Sequence, residues 1–197
     1  IQNSMSRVVQ IINSIISSCT YIIYNDTKEE VWLVDCGDVR PIINNISKGY
    51  SLRGVLLTHT HYDHCYGLNS LLDYYPAMKV YTNSFGLKAL QSPKLNLSRY
   101  HEEIPSFVIN ETSSIEDFSK IADPSLKIIP TPGHDPSCLS FIVDKFLFTG
   151  DSYIPGSKVI TTFPNSNRRD AFMSIDIIKK YEADDYIIYP GHFVEKG

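Results

Sequence analysis

Short bursts of β-branched and aromatic residues, each closed by a polar or glycine-containing turn, recur along this chain and predict strands. Cys19 to Ile23 and Glu30 to Asp35 flank Asn25-Asp26-Thr27-Lys28, the pattern of a β-hairpin ending at Asp35-Cys36-Gly37-Asp38. Between Pro41 and Gly49, Ile42, Ile43 and Ile46 stand at helical spacing and predict a short amphipathic helix. Gly54-Val55-Leu56-Leu57 reads as a strand buried on both faces, because no polar residue interrupts it before Thr58. Leu68, Leu71, Leu72 and Tyr75 return to helical spacing up to Pro76, and Met78 to Tyr81 gives another strand. This part therefore reads strand, loop, helix, strand.

Residues 83–125 follow no clear period beyond a helix at Phe85 to Leu90 and a Ser/Pro/Asn-rich stretch through Leu97. Order returns with strands at Leu126 to Pro130, Leu139 to Val143 and Phe146 to Thr149, each ending beside a polar cluster. Arg169 to Tyr181 places Phe172, Ile175 and Ile178 on a helical wheel, with Asp170 in the first turn and Lys179-Lys180 in the last, matching the helix dipole. Tyr186 to Tyr189 is the closing strand, and no internal repeat interrupts the series.

Composition narrows the class. Of 197 residues, 43% are hydrophobic and 12% aromatic, enough apolar surface to offset chain entropy in one domain spanning 1–197. The apolar runs fall far short of the roughly 20 residues a membrane-spanning helix needs. A formal charge of -4 repels nucleic-acid phosphates, so neither a nucleic-acid partner nor a membrane is expected. Cys19, Cys36, Cys65 and Cys138 form no C-x-x-C pair and read as free thiols. The first residues lack a signal-peptide pattern, which leaves the cytoplasm as the default location, and a chain starting at Ile1 suggests a trimmed beginning.

The candidate chemistry lies in the histidines. Five of six stand at strand-to-loop junctions: His59, His61 and His64 after one strand, His134 and His192 after two others. Asp63 sits inside the first group and Asp151 follows Thr149-Gly150, so one sheet rim would gather five imidazoles and two carboxylates, the ligand count of a dinuclear metal site. Alternate residues of an extended segment point the same way, which lets His59 and His61 converge on one ion. Each Pro-Gly-His turn, at Gly133 and Gly191, allows the sharp bend that aims a ring at a metal. With His at about 0.03 and Asp at about 0.07 per position, H-x-H-x-D-H arises by chance in roughly 4 of 10,000 such chains, so the cluster is read as functional. His101 stands outside it and is expected to be a surface or packed residue.

Thr58-His59-Thr60-His61-Tyr62-Asp63-His64, Thr131-Pro132-Gly133-His134, Thr149-Gly150-Asp151 and Pro190-Gly191-His192 resemble the metal motifs of the metallo-β-lactamase-fold hydrolases, in order, and Leu33-Val34-Asp35-Cys36-Gly37 is similar to that family's early strand and turn. The resemblance implies an α/β fold, a four-layer αβ/βα sandwich with two mixed sheets, outer helices and metals at one edge. It puts His59, His61 and His134 on a first cation, Asp63, His64 and His192 on a second, and Asp151 between them, with zinc expected and iron or manganese as alternatives. An Asp at 151 disfavours the antibiotic-hydrolysing branches. It is similar to glyoxalase II, homoserine lactonases, persulfide dioxygenases and an RNA-processing branch whose extra arm or inserted domain is not evident here. Ser92 to Ser98 and the overall length look most like short glyoxalase II-like hydrolases, although full-length glyoxalase II continues into a glutathione-holding helical domain and this sequence stops five residues after His192.

The expected reaction is cleavage of a small-molecule thioester or ester by a hydroxide bridging two cations, with Asp63 and Asp151 as catalytic groups. Tyr153 is a candidate hydrogen-bond donor to the oxyanion, while Lys158, Arg168 and Arg169 read as surface charges, and Cys65 and Cys138 as packed residues. The alternatives are a lactonase, a persulfide dioxygenase with one iron on His59, His134 and Asp151, and a non-catalytic metal-binding module.

Overall fold

In a computed structural model, which describes residues 6–118 and 126–195, the strands assemble into two sheets. The first runs in the order β1 (Arg7–Ile12), β2 (Cys19–Asn25), β3 (Glu30–Val34), β4 (Ser51–Leu56), β5 (Lys79–Thr82) and β6 (Ser113–Ser114). Its first three strands are antiparallel and the rest parallel. The second orders β10 (Ile187–Pro190), β9 (Phe146–Gly150), β8 (Leu139–Val143) and β7 (Leu126–Pro130), with only the β10–β9 pair parallel. Both sheets are therefore mixed, as expected. The helices are α1 (Val39–Asn45), α2 (Leu68–Tyr74), α3 (Ser84–Leu90), α4 (Ile115–Phe118) and α5 (Arg168–Ala183).

Period-two alternation sorts each strand between two cores. Tyr21, Val34, Leu56 and Tyr81 face the second sheet and meet Phe141, Phe146 and Phe148. Burying such a ring fully stabilises by about 1.5–3 kcal/mol. On the opposite face, Ile22, Leu33, Val55 and Val80 pack against Ile42 of α1, Leu68 and Leu71 of α2 and Leu90 of α3. Ile142 and Leu147 of the second sheet meet Ile178 of α5. The layers are helix, sheet, sheet, helix, and strands covered on both faces read as unbroken apolar runs.

Three sequence expectations change. Arg7–Ile12 is a further strand absent from the sequence expectations, because an edge strand keeps one side open and its apolar residues are interrupted by Gln10. On α5 the buried residues are Ala171, Ser174 and Ile178, while Phe172 is 59% exposed, so small residues and not the aromatic ring mark the packed face. Within 83–118 a 3-10 turn at Ser98–Tyr100 and the short β6 and α4 appear. The remainder of the 83–125 stretch, from residue 119, lies outside the described residues. The four cysteines are free, as expected, and Cys19 and Cys36 are buried as well as the expected Cys65 and Cys138.

Asn13, 3% exposed in the β1–β2 loop, holds that loop to the turn after β3. Its amide nitrogen donates to Ser18 Oγ (3.2 Å) and Thr20 Oγ1 (3.1 Å), and its oxygen accepts from Asp38 N–H (3.0 Å). Asn13→Ala removes these three contacts; Ser18 Oγ keeps Asp63 O and Thr20 Oγ1 keeps Gly37 N–H, so the loss falls mainly on Asp38 N–H and on the loop's attachment, and is expected to cost about 1–3 kcal/mol. Urea denaturation checks this, and an unmoved midpoint would show that water replaces the amide.

Candidate metal centre

Four strands deliver the predicted residues to one rim. The segment after β4 carries His59, His61, Asp63 and His64, the last two in a 3-10 turn at Tyr62–His64. The loop after β7 carries His134, Asp151 follows β9, and His192 follows β10. Leu139 N–H donates to Thr58 O at 2.7 Å, tying the two sheets together at this rim.

The structure brings all seven candidate ligands together. Ligand atoms of His59, His61 and His134 lie within 4.8 Å of one another, as do those of Asp63, His64 and His192. Asp151 reaches both groups: its Oδ2 is 3.2 Å from His192 Nε2 and 3.5 Å from His134 Nε2, and its Oδ1 is 3.4 Å from His64 Nε2. His59 Nε2 and Asp151 Oδ1 are buried with no hydrogen-bond partner. An imidazole nitrogen and a carboxylate oxygen left in that state are what a divalent cation would satisfy, so these residues fit a metal.

A second ring of contacts turns each imidazole inward. Nδ1–H of His134 donates to Ile160 O (2.8 Å) and Nδ1–H of His192 to Ile16 O (3.0 Å). Asp35 accepts from His64 Nδ1 (2.9 Å), Asp135 lies 3.3 Å from His61 Nε2, and Thr58 Oγ1 is 3.2 Å from His59 Nδ1. In each case the other nitrogen is left to face the cluster, the arrangement seen around metal-ligating histidines. Asp35 is itself fixed by Thr58, whose N–H and Oγ1 both donate to it at 2.7 Å. Asp35 was noted from the sequence only as part of the turn at Leu33 to Gly37, with no role beside His64, and Asp135 was not singled out; for Asp135, adjacency to His134 was the available signal.

The charges divide the cluster. Burial holds the His59 and His134 imidazoles toward their neutral form, the state that ligates a cation. Burial also pulls on His64 and His192, but Asp63 and Asp151 outweigh it, keeping His64 well above the ordinary range and lifting His192 to about 9. For Asp63 and Asp151 burial favours the neutral acid, and the charge of His64 with the hydrogen bonds of His192 and His64 overrides it, so both stay ionised. The protein has built a site that wants positive charge.

The β1–β2 loop closes the second group. Ser18 Oγ donates to Asp63 O at 2.8 Å, Cys19 N–H to Gly191 O at 2.8 Å and Phe193 N–H to Ser17 O at 2.9 Å. Ile16 and Ser17 adopt left-handed φ of 42° and 54° to do so, backbone strain that the loop's hydrogen bonds hold in place. Of the two Pro-Gly-His turns, Gly133 has φ 136°, as its sharp bend requires, but Gly191 has no positive φ. Its need is for space, since a Cβ there would sit 2.2 Å from Asp151 Oδ1.

Tyr153 is not brought to the cluster. Its hydroxyl donates to Glu182 Oε2 at 2.8 Å, which commits it to α5. Conversely His101, set aside in the sequence, stacks on Tyr62 with ring centroids 3.8 Å apart and borders the cavity over the ligands. Lys158 lines that same cavity, whereas Arg168 lies over Phe172 on the outside of α5.

No helix among the described residues is long and apolar enough to cross a membrane. The chain is 30% identical to a probable metallo-hydrolase of Streptococcus pyogenes over 95% of this chain and 84% of that protein. It is 27% identical to a hydroxyacylglutathione hydrolase of Hahella chejuensis over 80% of this chain, but spans only 55% of that relative's length. The solved structure of the BLEG-1 B3 metallo-β-lactamase matches with a TM-score of 0.81 over 95% of this chain and 92% of that one, at 24% identity, a likeness of fold. The profile of the metallo-β-lactamase superfamily matches residues 15–192, across both sheets and all seven candidate ligands, and the chain belongs to that superfamily.

Proposed function

We propose that this protein is a hydrolase that cleaves a thioester or ester of a small molecule with the help of two divalent cations. The observation that carries this is the reach of Asp151 to nitrogens of both ligand groups. A mononuclear centre would leave Asp63, His64 and His192, gathered closely enough to hold a second ion, as groups around the first. Similarity to hydroxyacylglutathione hydrolases supports the thioester as substrate.

Two bound divalent cations would supply Lewis acidity, polarising a carbonyl and lowering the pKa of a water from about 15.7 to about 7. His59, His61 and His134 would hold one, Asp63, His64 and His192 the other, and Asp151 would set their separation. Asp63 borders the cavity floor with Oδ2 3.1 Å from His64 Nε2 and 3.3 Å from His192 Nε2, so its carboxylate is fixed in direction and orients the attacking water. Apolar residues, including Ile160 and Phe163, line the cavity beside the candidate ligands.

Two measurements test the reading. Protein purified without chelator is expected to carry two cations per chain, zinc foremost. One iron per chain, reproducibly, would favour oxidation at His59, His134 and Asp151 and overturn the dinuclear centre. Among S-lactoylglutathione, a homoserine lactone and a nitrocefin-type lactam, kcat/KM is expected to be highest for the thioester, and a strong preference for the lactam would overturn the assignment.

A further inference from the structure

The turn after β3 carries two carboxylates, and both lead to the second ligand group. Asp35 does so directly, by accepting from His64 Nδ1. Asp38 stands at the N-cap of α1, where an aspartate ordinarily accepts from the first N–H groups of its own helix, yet its side chain makes no such bond. The carboxylate crosses instead to the β1–β2 loop. Its Oδ2 accepts from Ser14 N–H at 2.7 Å, and its Oδ1 accepts from Ser14 Oγ at 2.8 Å and from the Tyr66 hydroxyl at 2.5 Å. Asp38 N–H also donates to Asn13 Oδ1 at 3.0 Å, so backbone and side chain grip the loop together. Burial works against the charge of Asp38, but the bonds from Tyr66 and Ser14 outweigh it and hold the carboxyl below the ordinary carboxylate range. Hydrogen bonds to an ionised oxygen are roughly twice as strong as neutral ones.

Two residues beyond Ser14 lies Ile16, whose carbonyl accepts from His192 Nδ1–H at 3.0 Å. That bond leaves His192 Nε2 3.3 Å from Asp63 Oδ2 and 3.2 Å from Asp151 Oδ2. The tip of the loop would not keep this shape by itself. Ile16 is a β-branched residue at φ 42°, a conformation that side chains of its kind rarely adopt, and it is 57% exposed, so apolar burial does little to hold it. The bonds of Asp38 to Ser14 restrain the tip from one side, and those of Ser18 Oγ to Asp63 O and Phe193 N–H to Ser17 O from the other. His134 and His61 of the first group take their partners elsewhere, from Ile160 O and Asp135. We propose that Asp38 is a positioning residue for the second cation: by fixing Ser14 it sets the Ile16 carbonyl that aims His192, and so governs how tightly Asp63, His64 and His192 hold their ion without affecting the ion of His59, His61 and His134. This rests on the two-cation reading above.

The test dialyses zinc-loaded protein against graded chelator and reads zinc per chain by elemental analysis. Asp38→Ala is expected to fall from two zinc ions to one at about tenfold lower chelator than the unaltered protein, with the loss of the last zinc unmoved. Tyr66→Phe removes one of the three bonds to the carboxylate and keeps the ring, so its first loss is expected to shift the same way by about threefold, and it carries the test if the alanine variant does not fold. A second readout follows the ring protons by NMR in the loaded protein. Solvent exchange of His192 Nδ1–H is expected to quicken in Asp38→Ala, while that of His134 Nδ1–H, held by Ile160 O, stays as it was. A role in stability alone would weaken both ions alike. Equal shifts for the two zinc ions, an unmoved first loss, or ring protons that respond alike would overturn the positioning role and leave the two-cation reading standing. Unaltered protein that takes up fewer than two cations per chain would overturn that reading, and this one with it.

Discussion

Asp151→Ala is expected to yield protein that folds, retains fewer than two cations per chain and hydrolyses its thioester at least about 1,000-fold more slowly. The carboxylate reaches His64, His134 and His192 within 3.5 Å, nitrogens drawn from both groups. Without it, Asp63 alone must balance two cations among five imidazoles, and the spacing between the cations loses its brace. Asp151→Asn sharpens the test. The amide keeps the volume and one oxygen acceptor but not the charge, so metal retention should fall nearly as far as in the alanine variant if charge is what binds. Metal content by elemental analysis and turnover should fall together. Unchanged turnover with two cations bound would refute the bridging role.

The candidate ligands were legible because coordination demands particular side chains, and a sheet rim can gather them only from positions just past strand ends. The motifs around His59, His134, Asp151 and His192 therefore carry their own structural address. The strands Leu139–Val143 and Phe146–Gly150 were legible for a related reason, since burial on both faces leaves apolar runs between polar turns. What was hidden depends on contacts distant in sequence. His101 reaches the site only through its stack on Tyr62, and Ile16 serves His192 through a carbonyl that any residue type supplies. The stretch after α3 has no period because side chains hold it. Asn96 Nδ2 donates to Phe107 O at 3.0 Å, and Ser98 N–H to Asn96 Oδ1 at 2.9 Å. Such side-chain bonds substitute for a ladder and leave no repeat in the sequence.

Gly133→Ala is expected to destabilise the protein by about 3–5 kcal/mol and to lower its melting temperature by roughly 10 °C, more than an exposed glycine substitution accounts for. Two costs combine there. At φ 136° a side chain is strained, and the new Cβ would lie 2.3 Å from both Cα and N of Ala171. That contact is with helix backbone, so no rotamer change relieves it. The Gly133 loop cannot withdraw easily either: Gly133 O accepts from Asn167 N–H at 2.7 Å, Ser174 Oγ donates to Pro132 O at 2.6 Å, and Ser166 Oγ to His134 O at 2.6 Å. Those bonds dock the His134 turn on the start of α5, so moving the turn also moves a candidate ligand, and metal retention is expected to drop with stability. Gly156→Ala separates the two costs. Its φ of 81° is also left-handed, but nothing lies within 4 Å of the added carbon, so the expected loss is only about 1 kcal/mol. Adding Ala171→Gly to Gly133→Ala removes the Ala171 Cβ, 2.6 Å from the new carbon, and leaves both backbone clashes, so little rescue is expected. Full rescue, or equal losses at 133 and 156, would show that close approach to α5 is not what requires glycine in this turn.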